Sequence, residues 1–226
     1  MNASQTRLAR YQKWLKNRSQ PAPDIMTGIG KTVGELALDR EGLQKRGWTD
    51  LPIEFVPEAG QLLVGGYLEE RAIYNSPVFA GDGHEARTLH LGLDIFAPAE
   101  TGVFAPLEGH VHSFQVNNGE LDYGPTLILE HQPEDGLTFW TLYGHLSEDS
   151  LLGLEDGDPI TAGEKIAELG ASDVNGGWAP HLHFQIMLDI QGRRGDFPGV
   201  CRKSEIEAWK LICPDPAQLL GLSTNE

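Results

Sequence analysis

Cysteine, basic residues and long apolar runs are all scarce in this 226-residue sequence. The two cysteines, Cys201 and Cys213, are too few for a disulfide framework and form no CxxC pair, which leaves free thiols or a single disulfide. Lys and Arg number 17 against 33 Asp and Glu, so the formal net charge is −16 at pH 7. An acidic surface of this kind repels phosphates and anionic lipid headgroups, and we therefore expect neither nucleic acid nor a membrane as a partner.

Targeting signals are scarce as well. No apolar run approaches the length that spans a bilayer, and the first twenty residues lack the apolar stretch of a secretory signal. The sequence as written predicts a cytoplasmic protein, with the cell envelope as the alternative location if a leader was removed.

Turn-forming residues are abundant, with 27 Gly and 14 Pro. From residue 61 onward they separate short runs rich in β-branched and aromatic residues, such as 126–131 and 138–143. The segment 132–136 between those two runs contains Pro and Asp-Gly, which is typical of a hairpin connection. This pattern predicts an all-β fold of antiparallel sheets packed as a sandwich or barrel.

The first sixty residues have a different pattern. Apolar positions within 4–17 share one face of a helix, a Pro-containing linker follows at 20–24, and a weaker helical stretch covers 33–45. Short strands are predicted at 62–65, at 72–74 and, split by a turn, at 103–114. We expect residues 1–60 to be an accessory, partly helical N-terminal arm and residues 61–226 to form the main domain with a C-terminal extension.

Two histidines lie two residues apart in an apolar stretch, His181 and His183. On a strand, residues i and i+2 point to the same face, so the two imidazoles are expected side by side. The same spacing recurs at His110 and His112, and the spacing alone therefore does not identify a metal site.

A further histidine and a carboxylate, His90 and Asp94, are spaced four residues apart. Two imidazoles and one carboxylate suit Zn²⁺ and leave a fourth tetrahedral position open. Taken alone, the segment is better explained by a solvent-facing His and a capping Asp.

Three motifs occur in a fixed order: His90-x-x-x-Asp94, then Tyr-Gly-His-Leu around His145, then Pro-His-Leu-His-Phe around His181 and His183. In order and spacing they resemble the lysostaphin and LytM-like zinc endopeptidases over about residues 88–190. The helical zinc-protease signature HExxH is missing, so a glutamate base of that kind is not expected.

The resemblance implies a specific site. His90, Asp94 and His183 would be the metal ligands for Zn²⁺, and His145 and His181 would be catalytic residues beside it. A metal-activated water would hydrolyse an amide bond, and which of the two histidines is the base and which stabilises the oxyanion stays open. His131 is interpreted as structural or as a neighbour of the ligands.

Two departures from the resemblance bear on the substrate and the location. Trp178 stands where a small, Gly-rich run is usual, and we expect it, with Tyr123, at the rim of the cleft. Relatives are commonly exported, whereas no export signal is visible here. The tail resembles, more loosely, a variant fused to kinase-like and aminotransferase-like domains.

The sequence therefore predicts a zinc metalloendopeptidase that acts on peptidoglycan-type or small glycine- or D-amino-acid-containing peptides, so that the partner is a peptide or a peptidoglycan fragment. The alternatives are a cytoplasmic small-amide hydrolase and a non-catalytic regulatory or binding module on the same scaffold. A further hypothesis is that the N-terminal arm covers the cleft.

Overall fold

The computed structural model describes residues 2–19, 21–28, 33–58, 60–74, 76–80, 83 and 85–222. The strands are β1 (Val33–Glu35), β2 (Leu62–Gly65), β3 (Arg87–His90), β4 (Leu93–Phe96), β5 (Gly102–Phe104), β6 (Gly109–Asn117), β7 (Gly124–Glu134), β8 (Leu137–Gly144), β9 (Pro159–Ile160), β10 (Lys165–Glu168), β11 (His181–Met187) and β12 (Val200–Arg202). The α-helices are α1 (Ala3–Lys16), α2 (Arg40–Arg46), α3 (Ile206–Trp209) and α4 (Ala217–Leu220), and short 3-10 turns cover Glu148–Leu151 and Lys203–Glu205.

Eight strands form one large sheet in the order β1-β2-β4-β11-β8-β7-β6-β9. All neighbouring pairs in it are antiparallel except β1 and β2, which are parallel. The sheet is open, with β1 and β9 at its edges, and two-stranded sheets pair β10 with β5 and β12 with β3. The predicted all-β class is confirmed, and the main element is an open sheet.

The strand β11 lies in the middle of this sheet and is buried along its whole length. Successive side chains of β11 point to opposite faces of the sheet, as they do in any strand. Leu182, Phe184 and Ile186 belong to the largest apolar cluster. The residues between them, His181, His183 and Gln185, point to the opposite face, and this face carries the candidate site.

Both α1 and β1 of the N-terminal arm contact the sheet. Tyr11 of α1 is buried and packs edge-on against Phe139 of β8, with ring centroids 5.1 Å apart. β1 pairs with β2 at the sheet edge. The division into an arm of residues 1–60 and a domain of residues 61–226 stays a prediction.

Two local predictions were wrong. The predicted helix at 33–45 is a strand, β1, followed by the shorter helix α2, whose N-cap is Asp39. The backbone of β1 bonds to β2, and Gly34 is a poor helix former, so pairing outweighs the weak helical pattern. The predicted strand at 72–74 is a turn, in which Ile73 and Tyr74 are buried in an apolar cluster instead of pairing along a sheet.

Cys201 and Cys213 are both buried free thiols. Burial raises the pKa of Cys201 to about 11. Within the described ranges, every helix falls short of the length and apolar content that crossing a bilayer requires.

Candidate metal centre

Three side-chain atoms converge at the centre of the sheet face. Nε2 of His90 lies 2.9 Å from Nδ1 of His183, and Oδ1 of Asp94 lies 3.2 Å from the former and 3.1 Å from the latter. All three residues are buried. Across the part of the chain that the structure describes, these residues form the one His, Cys, Asp and Glu group whose ligand atoms could jointly hold a metal ion.

Strand pairing brings these residues together. Asp94 on β4 and His183 on β11 are directly opposite in the antiparallel register, and His90 ends β3 just before the turn into β4. Gly92, in that turn, makes the approach feasible, because a Cβ there would lie 2.8 Å from both Cε1 and Nε2 of the His183 ring. The short connection through Leu91 and Gly92 thus brings His90 and Asp94 into contact.

The hydrogen-bond partners fix which nitrogen of each clustered histidine carries its proton. Nδ1 of His90 lies 3.1 Å from the carbonyl oxygen of Gly66, which can only accept, so this nitrogen is the donor. Nε2 of His183 lies 2.9 Å from Oε1 of Gln185, whose amide nitrogen is 3.1 Å from the carbonyl oxygen of Pro198. The Gln185 amide must donate to Pro198, so its oxygen must accept from Nε2–H of His183.

Consequently the nitrogens that face each other, Nε2 of His90 and Nδ1 of His183, both present lone pairs, and Asp94 adds a carboxylate oxygen. Three acceptors about 3 Å apart repel one another unless a cation lies between them. A tetrahedral zinc ion, with ligand distances of about 2.0–2.2 Å, separates its ligand atoms by about 3.3 Å. The donor set and its spacing fit such an ion.

The electrostatics agree with this arrangement. Burial and the positive charge of Arg71 lower the pKa of His90 to about 4, so the ring is neutral at pH 7. Burial alone would raise the pKa of Asp94, but Arg71 and the neighbouring histidines hold it well below its ordinary value. Asp94 is therefore a carboxylate and His90 a neutral imidazole, as metal ligation requires.

His181 and His145 lie beside the cluster. Nε2 of His181 is 3.6 Å from Oδ2 of Asp94, and the rings of His181 and His145 are 4.2 Å apart. The Nδ1 atoms donate to the carbonyls of Ala179 at 2.7 Å and Asn175 at 2.8 Å, so both Nε2 atoms carry lone pairs. Burial lowers the pKa of each histidine below its ordinary value.

The backbone at His145 is unusual. Its φ of 62° lies in the left-handed region, which non-glycine residues rarely adopt and which is common at functional sites. The backbone N–H donates to the carbonyl of Tyr123 at 2.8 Å, and its carbonyl accepts from the N–H of Gly170 at 2.9 Å. These bonds on both sides hold the imidazole beside His181.

A cavity of about 530 Å³ opens onto this cluster. Trp178 and Tyr123, the two residues predicted at the rim, both line it. Trp178 stands edge-on to His145 with centroids 6.5 Å apart, whereas the Tyr123 ring lies 5.0 Å from that of His183 and its hydroxyl donates to the carbonyl of Phe197. Leu38 and Leu51 of the N-terminal arm line the same cavity.

Among the described residues, the histidines outside the three motifs lie away from the cluster. His110 and His112 lie on β6, where Nδ1 of His112 is 2.8 Å from the hydroxyl of Ser113. His131 on β7 is buried between the carbonyl of Glu108 and the hydroxyl of Thr141, each 2.7 Å from a ring nitrogen. This position fits the structural interpretation of His131.

Two side chains at the centre were not predicted from the sequence. Gln185 lies two residues after His183 on the same face of β11, and the alternation that paired the histidines would also have found it. Arg71 donates to Oδ2 of Asp94 through a side-chain hydrogen bond. It is 23 residues away in sequence in a turn, and no motif or periodicity indicates this contact.

Comparison with known proteins agrees with these motifs. Residues 88–196 match the model of peptidase family M23. Among solved structures, the catalytic domain of the antimicrobial peptidase lysostaphin from Staphylococcus simulans is 26% identical, with coverage of 54% of this chain and 80% of that chain at a TM-score of 0.37. A zinc-containing peptidase from Vibrio cholerae is 25% identical, with coverage of 61% of this chain and 36% of that chain at a TM-score of 0.39.

Among curated proteins, none matches the chain. The matched range 88–196 contains the whole cluster and both neighbouring histidines. Residues 88–196 thus match peptidase family M23, which confirms the resemblance to lysostaphin and LytM-like peptidases that the three motifs indicated.

Proposed function

We propose that this chain is a zinc-dependent endopeptidase that hydrolyses amide bonds of peptidoglycan-type or small glycine- or D-amino-acid-containing peptides. The observation that carries the proposal is the convergence of two imidazole lone pairs and one carboxylate oxygen, 2.9–3.2 Å apart, at the base of a cavity. The match of residues 88–196 to a peptidase family supports the reaction class. The relation to fused kinase-like or aminotransferase-like domains and the cytoplasmic or envelope location stay predictions.

In this proposal His90, Asp94 and His183 hold the ion. The carbonyl of Gly66 and the amide of Gln185 accept the outer N–H groups of the two imidazoles, which fixes both rings with their lone pairs inward. Such outer partners orient metal-binding histidines and raise their basicity. The site therefore needs little rearrangement to receive zinc.

Zinc, when bound, lowers the pKa of water toward neutrality and polarises a carbonyl oxygen. His145 and His181 supply the proton transfers, because each is neutral and has a free Nε2 lone pair. Either ring can take the proton that the attacking water loses. Once protonated, it can stabilise the developing oxyanion or protonate the leaving amine.

The cavity supports a peptide substrate. Its walls combine aromatic side chains with residues from the 193–200 segment, and its volume of about 530 Å³ is in the range typical of small-ligand sites. Trp178 stands beside His145 and narrows the approach to it. Small peptides are therefore favoured over intact cell-wall polymer.

The test measures zinc per chain and hydrolysis of pentaglycine and purified muropeptides, for the wild type, His183→Ala and His112→Ala. His112 is the matched control, because it belongs to the other His-x-His pair and lies on β6 away from the cluster. We expect about one zinc in the wild type and in His112→Ala, and loss of both zinc and hydrolysis in His183→Ala.

The other outcomes separate the alternatives. Zinc retained by His183→Ala would place the metal on other residues. Zinc bound by the wild type without cleavage of either substrate would favour the non-catalytic module. Cleavage of pentaglycine without cleavage of muropeptides would favour the cytoplasmic small-amide hydrolase.

A further inference from the structure

The two carboxylate oxygens of Asp94 have different partners. Oδ1 faces His90 and His183 at 3.2 and 3.1 Å. Oδ2 accepts a hydrogen bond from a terminal guanidinium nitrogen of Arg71. One oxygen is thus directed into the cluster and the other is held outside it.

Arg71 is anchored by more than this contact. Its side chain is 1% exposed, and its Nε donates to Oε2 of Glu69 at 3.0 Å. The other oxygen of Glu69 accepts the backbone N–H of Leu38 at 2.6 Å. The backbone N–H of Arg71 donates to the carbonyl of Thr88, two residues before His90, at 2.9 Å. The backbone of Arg71 is therefore held by Thr88, and its guanidinium is held by Glu69 and Asp94.

Gly65 leaves the space that the guanidinium occupies. It lies on β2 directly opposite Asp94, and a Cβ at this position would be 2.6 Å from the second terminal nitrogen of Arg71. The φ of Gly65 is not in the left-handed region, so the backbone does not require glycine there. The close approach of Arg71 is the feature that a side chain at position 65 would disturb.

We propose that Arg71 is the positioning residue of the metal centre: it holds Oδ2 of Asp94 so that this carboxylate offers only Oδ1 to the metal. The inference rests on the proposed zinc site and deepens it. A carboxylate free to turn could bind through both oxygens and fill the position that a catalytic site keeps open. Arg71 prevents this by occupying one oxygen with a charge-assisted hydrogen bond.

The positive charge of Arg71 by itself weakens metal binding, because a guanidinium repels a nearby cation. Glu69 offsets this repulsion, since its carboxylate is paired with the same guanidinium at 3.0 Å. The geometric effect is therefore expected to exceed the electrostatic one. Arg71 and Glu69 both precede the matched family range, so the metal centre depends on residues upstream of residue 88.

The test compares the full chain with Arg71→Met, Arg71→Lys and Gly65→Ala. Gly65→Ala retains the arginine but displaces its guanidinium, and it serves if Arg71→Met does not fold. Arg202→Met is the matched control, because Arg202 also pairs with a glutamate at 3.0 Å and donates to a backbone carbonyl, but away from Asp94. Zinc affinity is measured by competition with a chelator, and coordination number by the visible absorption of the cobalt(II)-loaded protein.

For the wild type and Arg202→Met we expect the strong absorption of four-coordinate cobalt. For Arg71→Met and Gly65→Ala we expect the weaker absorption of higher coordination and zinc affinity reduced about 10- to 100-fold. Arg71→Lys returns one donor for Oδ2 and should recover part of the affinity. A purely structural role would change unfolding but neither metal readout.

Unchanged spectra and affinities in folded Arg71→Met or Gly65→Ala would overturn the positioning role alone. A wild type that takes up neither zinc nor cobalt would overturn the proposed function and the positioning role with it.

Discussion

The Nε2–H of His183 donates to Oε1 of Gln185 at 2.9 Å, and the two residues lie on the same face of β11. The amide of Gln185 also lies 3.1 Å from the carbonyl of Pro198 and 3.3 Å from the thiol of Cys213. A flipped Gln185 amide would place its oxygen against the carbonyl oxygen of Pro198, which is unfavourable. The amide orientation is therefore fixed, and with it the tautomer of His183. The lone pair of Nδ1 is thereby directed at His90 and Asp94.

We expect Gln185→Leu to weaken zinc binding about 10- to 100-fold, because the outer N–H of His183 loses its acceptor and the ring its orientation. Chelator competition measures the affinity. Thr141→Val is the control, since Thr141 is also fully buried and hydrogen-bonded, on the neighbouring strand β8, but contacts His131. The control should unfold more readily and bind zinc as the wild type does. Equal zinc affinity in Gln185→Leu would show that Gln185 does not orient the ring.

The parts of the site that depend on local periodicity could be predicted from the sequence. The period of a strand places His181 and His183 on one face. The contact of Asp94 with His183 depends instead on the pairing of β4 with β11, and the sequence indicated it only through the resemblance of its three motifs to a known family. The hairpin between β7 and β8 was also predictable, since Gly136 supplies a positive φ at the turn.

The contacts made by chain segments without a regular pattern could not be predicted. Arg71 reaches Asp94 from a turn, and its burial depends on the missing side chain at Gly65, on another strand. The strand β1 has only three residues and forms because β2 offers an edge, which overrides a weak helical preference. Neither the contact of Arg71 with Asp94 nor the pairing of β1 with β2 leaves a signal within a short window of sequence.

Gly92 should tolerate no side chain. A Cβ there would lie 2.7 Å from the carbonyl oxygen of Phe184 and 2.8 Å from the His183 ring. The backbone of Phe184 lies within the central strand β11 and cannot move away easily. We expect Gly92→Ala to lower both the unfolding free energy, by about 1–3 kcal/mol, and the zinc affinity. Denaturant titration and chelator competition measure the two effects.

Gly66→Ala is the matched control for this substitution. Its backbone carbonyl also contacts the centre, through His90, but the nearest atom to an added Cβ is 3.7 Å away. It should therefore retain wild-type zinc affinity. Equal behaviour of the two alanine variants would contradict the close packing of Gly92 on His183.

Tyr11 tests whether α1 belongs to the same folding unit as the sheet. Its ring is buried against Phe139, while its hydroxyl has no hydrogen-bond partner among the described residues. We expect Tyr11→Ala to lower the unfolding free energy by about 3–5 kcal/mol through the cavity it leaves. Tyr11→Phe should be neutral or stabilising, because it removes a buried unpaired hydroxyl. If Tyr11→Ala leaves the main denaturation midpoint unchanged, α1 unfolds separately from the sheet.

His131 makes stability depend on pH at a distance from the metal centre. Burial lowers its pKa to about 4, partly opposed by the hydrogen bond to the carbonyl of Glu108. In the unfolded chain a histidine has a pKa of about 6.5, so as the pH falls the unfolded state takes up the proton first. This residue therefore destabilises the fold increasingly from about pH 6.5 down to pH 4, by up to about 3 kcal/mol.

Measuring the unfolding free energy against pH, with a chelator present, isolates this contribution when the wild type is compared with His131→Gln. Three other buried histidines, His90, His145 and His181, have lowered pKa values too and are present in both proteins. The variant should be less stable at pH 7, because Thr141 and Glu108 lose their partner, but its stability should fall less steeply between pH 6.5 and 4. Parallel curves over that interval would mean that His131 titrates with the same pKa in the folded and unfolded states, and that the apolar core around Phe139 does not exclude its charged form.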